Sequence, residues 1–139
     1  LAHEEVTMWL VKTEPSVYSF DDLLREGQTR WDGVTNPVAL RNIAAMKKGD
    51  RVVVYHTGEE RRAVGSAEVV KEAYPDPKGS DPRHVVVDLK AGKALKEPVD
   101  LPTLKASSLF ASSPLVRQGR LSVVPLTQAQ WNFITQGGK

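Results

Sequence analysis

Hydrophobic positions along the chain come in short runs separated by polar turns, and the spacing within the runs alternates between strand-like and helical. Met8-Trp-Leu-Val-Lys12 is an apolar run of strand length, closed by Thr13-Glu14-Pro15 because proline cannot donate into a sheet interior. Ser19 then stands as an N-cap, Asp21 and Asp22 suit the positive end of a helix, Leu23-Leu24 give it an apolar side, and Gly27 stops it. Helical spacing is clearest after Asn36, where Ala39, Leu40, Ile43 and Met46 share one face while Arg41, Asn42 and Lys48 fall away from it. Asn36 reads as the N-cap of that helix, with Pro37 at the first helical position, where a missing N–H is harmless. Lys47 and Lys48 suit its negative end and Gly49 a left-handed stop. Arg51-Val-Val-Val-Tyr-His56 is β-branched and too short for a further helix, so a buried strand is expected.

Thr57 to Arg61 is a polar turn into a strand over Arg62 to Tyr74 whose middle carries Ala63, Gly65, Ser66 and Ala67. Small side chains there let another group come close. Pro75 to Pro82 holds three of the nine prolines and is therefore a loop. His84 to Leu89 is the next strand, pairing back on residues 62–74 as a hairpin. One turn of helix fits Thr103–Ala106, a Ser-rich connection follows over Ser107 to Pro114, and Arg120 to Val124 is a last strand ended by Pro125. Thr127-Gln-Ala-Gln130 matches a capping box with Leu126 and Trp131 at the staple positions, predicting a final helix to about Gln136 with Trp131 and Ile134 inward. Five strands and three or four short helices, with no βαβ alternation, glycine fingerprint or repeat, give an α+β class around a small, mostly antiparallel sheet or open barrel.

Composition narrows the chemistry. A chain of 139 residues is one domain able to bury a core, and residues 1–7, which carry no usable pattern, are expected to be an unstructured N-terminal extension. Without cysteine there is no disulfide, thiolate metal site or cysteine nucleophile. No apolar run approaches the roughly twenty residues of a membrane span, and no signal-peptide order is present, so a soluble cytoplasmic protein is expected. The net charge is +2, yet residues 1–89 hold 12 Lys and Arg against 15 Asp and Glu, whereas residues 90–139 hold 7 against 2. The basic C-terminal third suits an anionic partner, and equally a solvated face.

Trp31-Asp-Gly-Val-Thr35 directly precedes the capped helix, placing an aromatic ring, a carboxylate and free backbone N–H groups together. Trp31 offers a flat surface on which an unstacked base gains about 1–3 kcal/mol. The alternative is a half-buried core tryptophan. Trp9 and Trp131, in a strand and a staple, are core. Glu14, Asp32 and Asn36 can hydrogen-bond the pairing edge of a base, although Asn36 equally serves as a cap. A catalytic trio of His56, Ser122 and Asp32 lacks support, since Ser122 runs into Val123 with no Gly-x-Ser-x-Gly elbow. His3, His56 and His84 share no metal-ligand spacing, and neither a metal nor a cofactor is expected. Arg117 and Arg120 beside the last strand, Arg41, and Lys90, Lys93, Lys96 and Lys105 can follow a phosphate backbone, the arginines better because guanidinium grips phosphate at two points. For the lysines, solubility explains as much.

Met8-Trp-Leu-Val-Lys-Thr-Glu-Pro15, Trp31-Asp-Gly-Val34 with Asn36, Met46-Lys-Lys-Gly-Asp50, Tyr55-His56, Tyr74-Pro-Asp76, Val87-Asp88 and Arg120-Leu-Ser-Val with Pro125 together resemble the EVE domain family, from Met8 to about Ile134. The resemblance implies one EVE domain over residues 8–136 with the PUA-like fold, a mostly antiparallel β pseudo-barrel with short flanking helices. It further implies a non-catalytic nucleic-acid-binding module, for DNA or RNA, with a pocket for a flipped modified base such as 5-methylcytosine. Carried onto this chain, the pocket would be lined by Lys12, Thr13 and Glu14, by Trp31, Gly33, Val34 and Asn36, by Tyr55 and His56, and by Leu121 and Ser122. The superfamily also includes ASCH-type hydrolases of modified nucleosides, and the alternative to a reader is such an enzyme with Glu14, Lys12 and Thr13 as its reactive group. The chain departs from the commoner family pattern Gly-Val-Arg-Asn-Tyr-Gln-Ala-Arg-Asn at Thr35, Pro37 and Leu40, which replace Arg, Tyr and Arg.

Overall fold

The structure is a computed structural model that describes residues 7–139. Its centre is a six-stranded open sheet of β1 (Met8–Thr13), β2 (Gln28–Trp31), β3 (Arg51–His56), β4 (Arg62–Pro75), β5 (Val85–Asp100) and β6 (Val123–Leu126), in the order β2-β5-β4-β3-β1-β6. Every pairing is antiparallel except β1 with β3. Helices α1 (Phe20–Glu26), α2 (Pro37–Ala45), α3 (Leu101–Ala106), α4 (Pro114–Arg117) and α5 (Gln128–Thr135) flank it, with a 3-10 turn at Ser108–Phe110. This is the expected α+β class. Among the described residues no helix is long and apolar enough to cross a membrane.

Local chemistry starts α1, α2 and α5 where it was expected to, whereas α3 begins at Leu101 on an Asp100 cap rather than at Thr103, and the Ser-rich connection holds the 3-10 turn and the start of α4. Ser19 and Thr127 both form capping boxes, with Asp22 and Gln130 reaching back to the cap N–H, and Asn36 accepts from Val38 N and Ala39 N with Pro37 at N1. The apolar face of α2 is buried as its spacing requires, and Met46 with it. The helix itself stops at Ala45, however. Met46 is its extended C-cap, and Lys47 to Asp50 form a separate turn in which Gly49 takes φ 94°. That turn is held by Asp50, a carboxylate 3% exposed that accepts from Lys47 N (2.9 Å), Thr7 N (3.2 Å) and the indole Nε1 of Trp9 (3.0 Å). Of the N-terminal extension expected over residues 1–7, residues 1–6 lie outside the described residues.

Three strands differ from expectation. β2 has four residues, one of them buried, too little for a periodicity to show. β5 runs to Asp100 rather than Leu89, because its exposed second half, rich in lysine, is carried by pairing with β4. β6 starts at Val123 rather than Arg120 and contains Pro125 instead of ending before it. It is an outermost strand paired only to β1, where a missing donor costs no ladder bond. Register shifts along β4–β5 and at Val54/Tyr55 bend the long hairpin, as bulges do.

The small residues at the middle of β4 make room for an aromatic ring. A Cβ on Gly65 would lie 2.3 Å from Cζ of Phe20, the buried first residue of α1. Gly65→Ala is therefore expected to lower stability by about 1–3 kcal/mol through overpacking. Urea midpoints check this, and Phe20→Leu in the same chain should restore part of the loss; an unchanged midpoint for Gly65→Ala alone would place the ring elsewhere.

Candidate functional site

The end of β1, the turn after it, the end of β2 and the entry to β6 converge on a cavity of about 540 Å3. Of the residues expected from the sequence, Lys12, Thr13, Glu14, Trp31, Asp32, Gly33, Val34 and Ser122 all line it. The convergence follows from topology. β1 lies between β3 and β6, which brings Ser122 beside Lys12 across more than a hundred residues, and Lys12 N donates to Ser122 O at 2.9 Å.

Trp31 is both wall and core. The residue is 7% exposed and packs in the hydrophobic interior, while its remaining surface reaches the cavity. The ring of Tyr18 stands edge-on to it, centroids 6.1 Å apart at 85°. The Tyr18 hydroxyl donates to the Glu26 carboxylate. Burial first, and then that bond to a carboxylate, push the Tyr18 phenol up to about 12, so it remains a neutral donor. Thr13 Oγ1 donates to Tyr18 O at 2.6 Å and Glu14 accepts from Ser16 N and Oγ, so the turn that carries Tyr18 is tied to the strand before it.

The polar groups fall into two kinds. Lys12 Nζ donates to Gly119 O at 2.9 Å and sits 5.7 Å from the Tyr55 ring centroid, and burial lowers its pKa. Arg30 Nε donates to the Tyr74 hydroxyl, which in turn donates to Asp88. Both cations are thus partly engaged by the chain. Asp32, exposed at the lip, has no ion-pair partner among the described residues. The result is an aromatic wall beside acceptor carboxylates, hydroxyls and one positive edge, the mixture by which a cleft orients a small planar ligand.

The other expected residues lie outside this cavity. Tyr55 is buried behind Lys12. His56 Nε2 accepts from Phe20 N at 3.0 Å, so its proton is on Nδ1, which donates to Glu60 at 2.9 Å; the ring ties β3 to the start of α1. Asn36 spends its carbonyl on the α2 cap, and with Arg120 and the buried Leu121 it borders a smaller hollow next door. Arg117 donates to Ala111 O, and Arg41 lines a third concavity together with Thr35, Pro37 and Leu40, the positions where the chain departs from the family pattern. Among the described residues no cluster of three or more His, Cys, Asp or Glu is placed to hold a metal.

Five wall residues were not anticipated: Val17, Tyr18, Glu26, Thr29 and Arg30. Thr29 and Arg30 belong to β2, and identifying that strand would have placed Thr29 on the face of Trp31. Tyr18 precedes α1 and Glu26 ends it, and their separation in the chain carries no signal.

The EVE domain profile matches residues 7–137. Among solved structures, Rpa0253 from Rhodopseudomonas palustris is 43% identical, covering 96% of this chain and 93% of its own, with a TM-score of 0.89. Human THYN1 in complex with 5-methylcytosine-containing DNA is 29% identical, covering 96% and 98%, with a TM-score of 0.86. Thymocyte nuclear protein 1 of Rattus norvegicus is 31% identical over 91% of this chain and 71% of its own length. An ASCH protein from Zymomonas mobilis, at 12% identity and a TM-score of 0.57, shares the fold alone. Matched along almost its whole length and in the geometry of its sheet, the chain belongs to the EVE domain family.

Proposed function

We propose that this protein is a non-catalytic reader of modified nucleic acid that admits one base, 5-methylcytosine or a close relative, to the cavity beside Trp31. The observation that carries the reading is the cavity itself, a space of about 540 Å3 that Trp31 and Tyr18 line together with Glu14, Asp32 and Ser122 and that has room for a heterocycle. Carboxylates accept from the exocyclic amine that cytosine carries, and the apolar surfaces of Val17 and Val34 suit a methyl group. Support comes also from human THYN1, a relative solved with 5-methylcytosine-containing DNA. A base reaches such a cavity only after leaving its stack, so flipping is part of the proposal. Arg117 and Arg120, exposed beside the entry to β6, are the proposed contacts to the flanking phosphates.

Nothing in the geometry favours the hydrolase alternative. Lys12, Thr13 and Glu14 are each hydrogen-bonded to their own chain, and no two of them form a nucleophile–base pair. The test is a binding titration with single- and double-stranded oligonucleotides bearing cytosine, 5-methylcytosine or uracil, run beside a turnover assay on modified nucleosides. Saturable binding that prefers the methylated probe, without product, is the expected result. Product that disappears in Glu14→Gln would overturn the reading, as would absence of binding to every probe at low salt.

A further inference from the structure

We infer that the groove next to the cavity, lined by Thr35, Pro37, Leu40, Arg41 and the loop between β4 and β5, is a subsite for a nucleotide flanking the one in the cavity, with Arg41 taking its phosphate. The inference rests on the reading above and adds a site to it. Gly33 and Val34 line the base cavity, whereas Thr35, the next residue, lines the groove, a separate concavity of about 470 Å3. Neighbouring Cα atoms are only about 3.8 Å apart. The two hollows thus meet at the Val34–Thr35 stretch of loop.

The groove has the composition a nucleotide calls for. Pro37, Leu40, Ala44 and Val85 make an apolar floor against which a sugar or base face can lie, and Arg41, Arg83 and His84 stand around it. Asp81 is the carboxylate to reckon with on that side. It holds Arg83 at two points, Nε at 3.1 Å and Nη2 at 2.8 Å, and lies 3.8 Å from His84 Nε2. Its charge is answered by Arg83. Arg41, exposed on α2, has no ion-pair partner among the described residues, so the groove keeps a net positive charge concentrated on a guanidinium free to grip phosphate at two points. An apolar floor alone would suit a protein segment equally; the unanswered guanidinium, in a groove whose Thr35 directly follows Val34 of the base cavity, favours a strand that enters that cavity.

The experiment compares 5-methylcytidine monophosphate with a short single strand carrying 5-methylcytosine in its middle, across a range of salt concentrations. Arg41→Gln is expected to weaken the strand about tenfold and to flatten its log–log salt dependence by about 0.7, the release of one phosphate contact on a single strand. The mononucleotide, which cannot reach both hollows, should lose far less. Thr35→Glu, which sets a carboxylate in the groove at an exposed position, should act in the same direction. If both variants stay within about twofold of the wild type on the strand with the salt slope unchanged, the groove holds no nucleotide and the inference fails, while the cavity reading stands. If the wild-type chain binds neither probe, that reading fails and the groove falls with it.

Discussion

Trp31→Ala is expected to lower stability by about 3–5 kcal/mol before it reports anything about binding. Trp31 is 7% exposed and packs in the main core at the end of β2, so removal of its indole leaves a cavity that only partly collapses. Trp31→Phe is the sharper probe of the site, because it keeps an aromatic core residue while shrinking the wall that faces the base. Its affinity for a methylated oligonucleotide should fall by about 1 kcal/mol or more, within the range of a single base–aromatic contact. Urea unfolding and oligonucleotide titration separate the two effects. A Trp31→Phe chain that is folded and binds with wild-type affinity would remove the indole from the site and leave Tyr18 as the aromatic wall.

Asp50→Ala should be nearly as damaging to stability, by about 3 kcal/mol, and harmless to binding. Its carboxylate is the shared acceptor for three N–H groups, and truncation strands the Trp9 indole N–H, whose hydrogen bond is buried, at a cost of about 1–3 kcal/mol by itself. Asp50→Asn, which keeps one acceptor oxygen, should lose less. Asp50 stands at the end of β3 that pairs with Met8, whereas the cavity opens at the other end, where Thr13 pairs with His56. Affinity measured on folded Asp50→Ala should accordingly match the wild type. A stability change under about 0.5 kcal/mol would mean that the strand ends hold without this carboxylate.

Several element starts were legible because they are set by local chemistry: the Ser19 cap, the Thr127 capping box, the Asn36-Pro37 start and the β-branched run of β3 each contain their own reason. Elements that depend on partners were not. β2 and the second half of β5 have no strand-like pattern of their own and exist through pairing, and Pro125 sits inside a strand only because β6 has a free edge. The same division runs through the site. Residues beside a motif, such as Glu14, Trp31 and Gly33, were expected in the cavity they line, while Tyr18 and Glu26, on either side of α1, were not. His56 and Asn36 illustrate the converse, polar residues expected in the cavity that accept from backbone N–H groups outside it, His56 also donating to Glu60.

What the chain's own order of residues determined was the set of caps, turns and apolar faces, and through its motifs the EVE family, since these depend on neighbours within a few positions. Which of those faces meet was decided by tertiary structure alone. The parallel pairing of β1 with β3 and the edge position of β6 bring Lys12 to Ser122, and Trp31, held in β2 by its pairing with β5, stands against Tyr18. A cavity is the space left between such long-range contacts, and no local pattern records it.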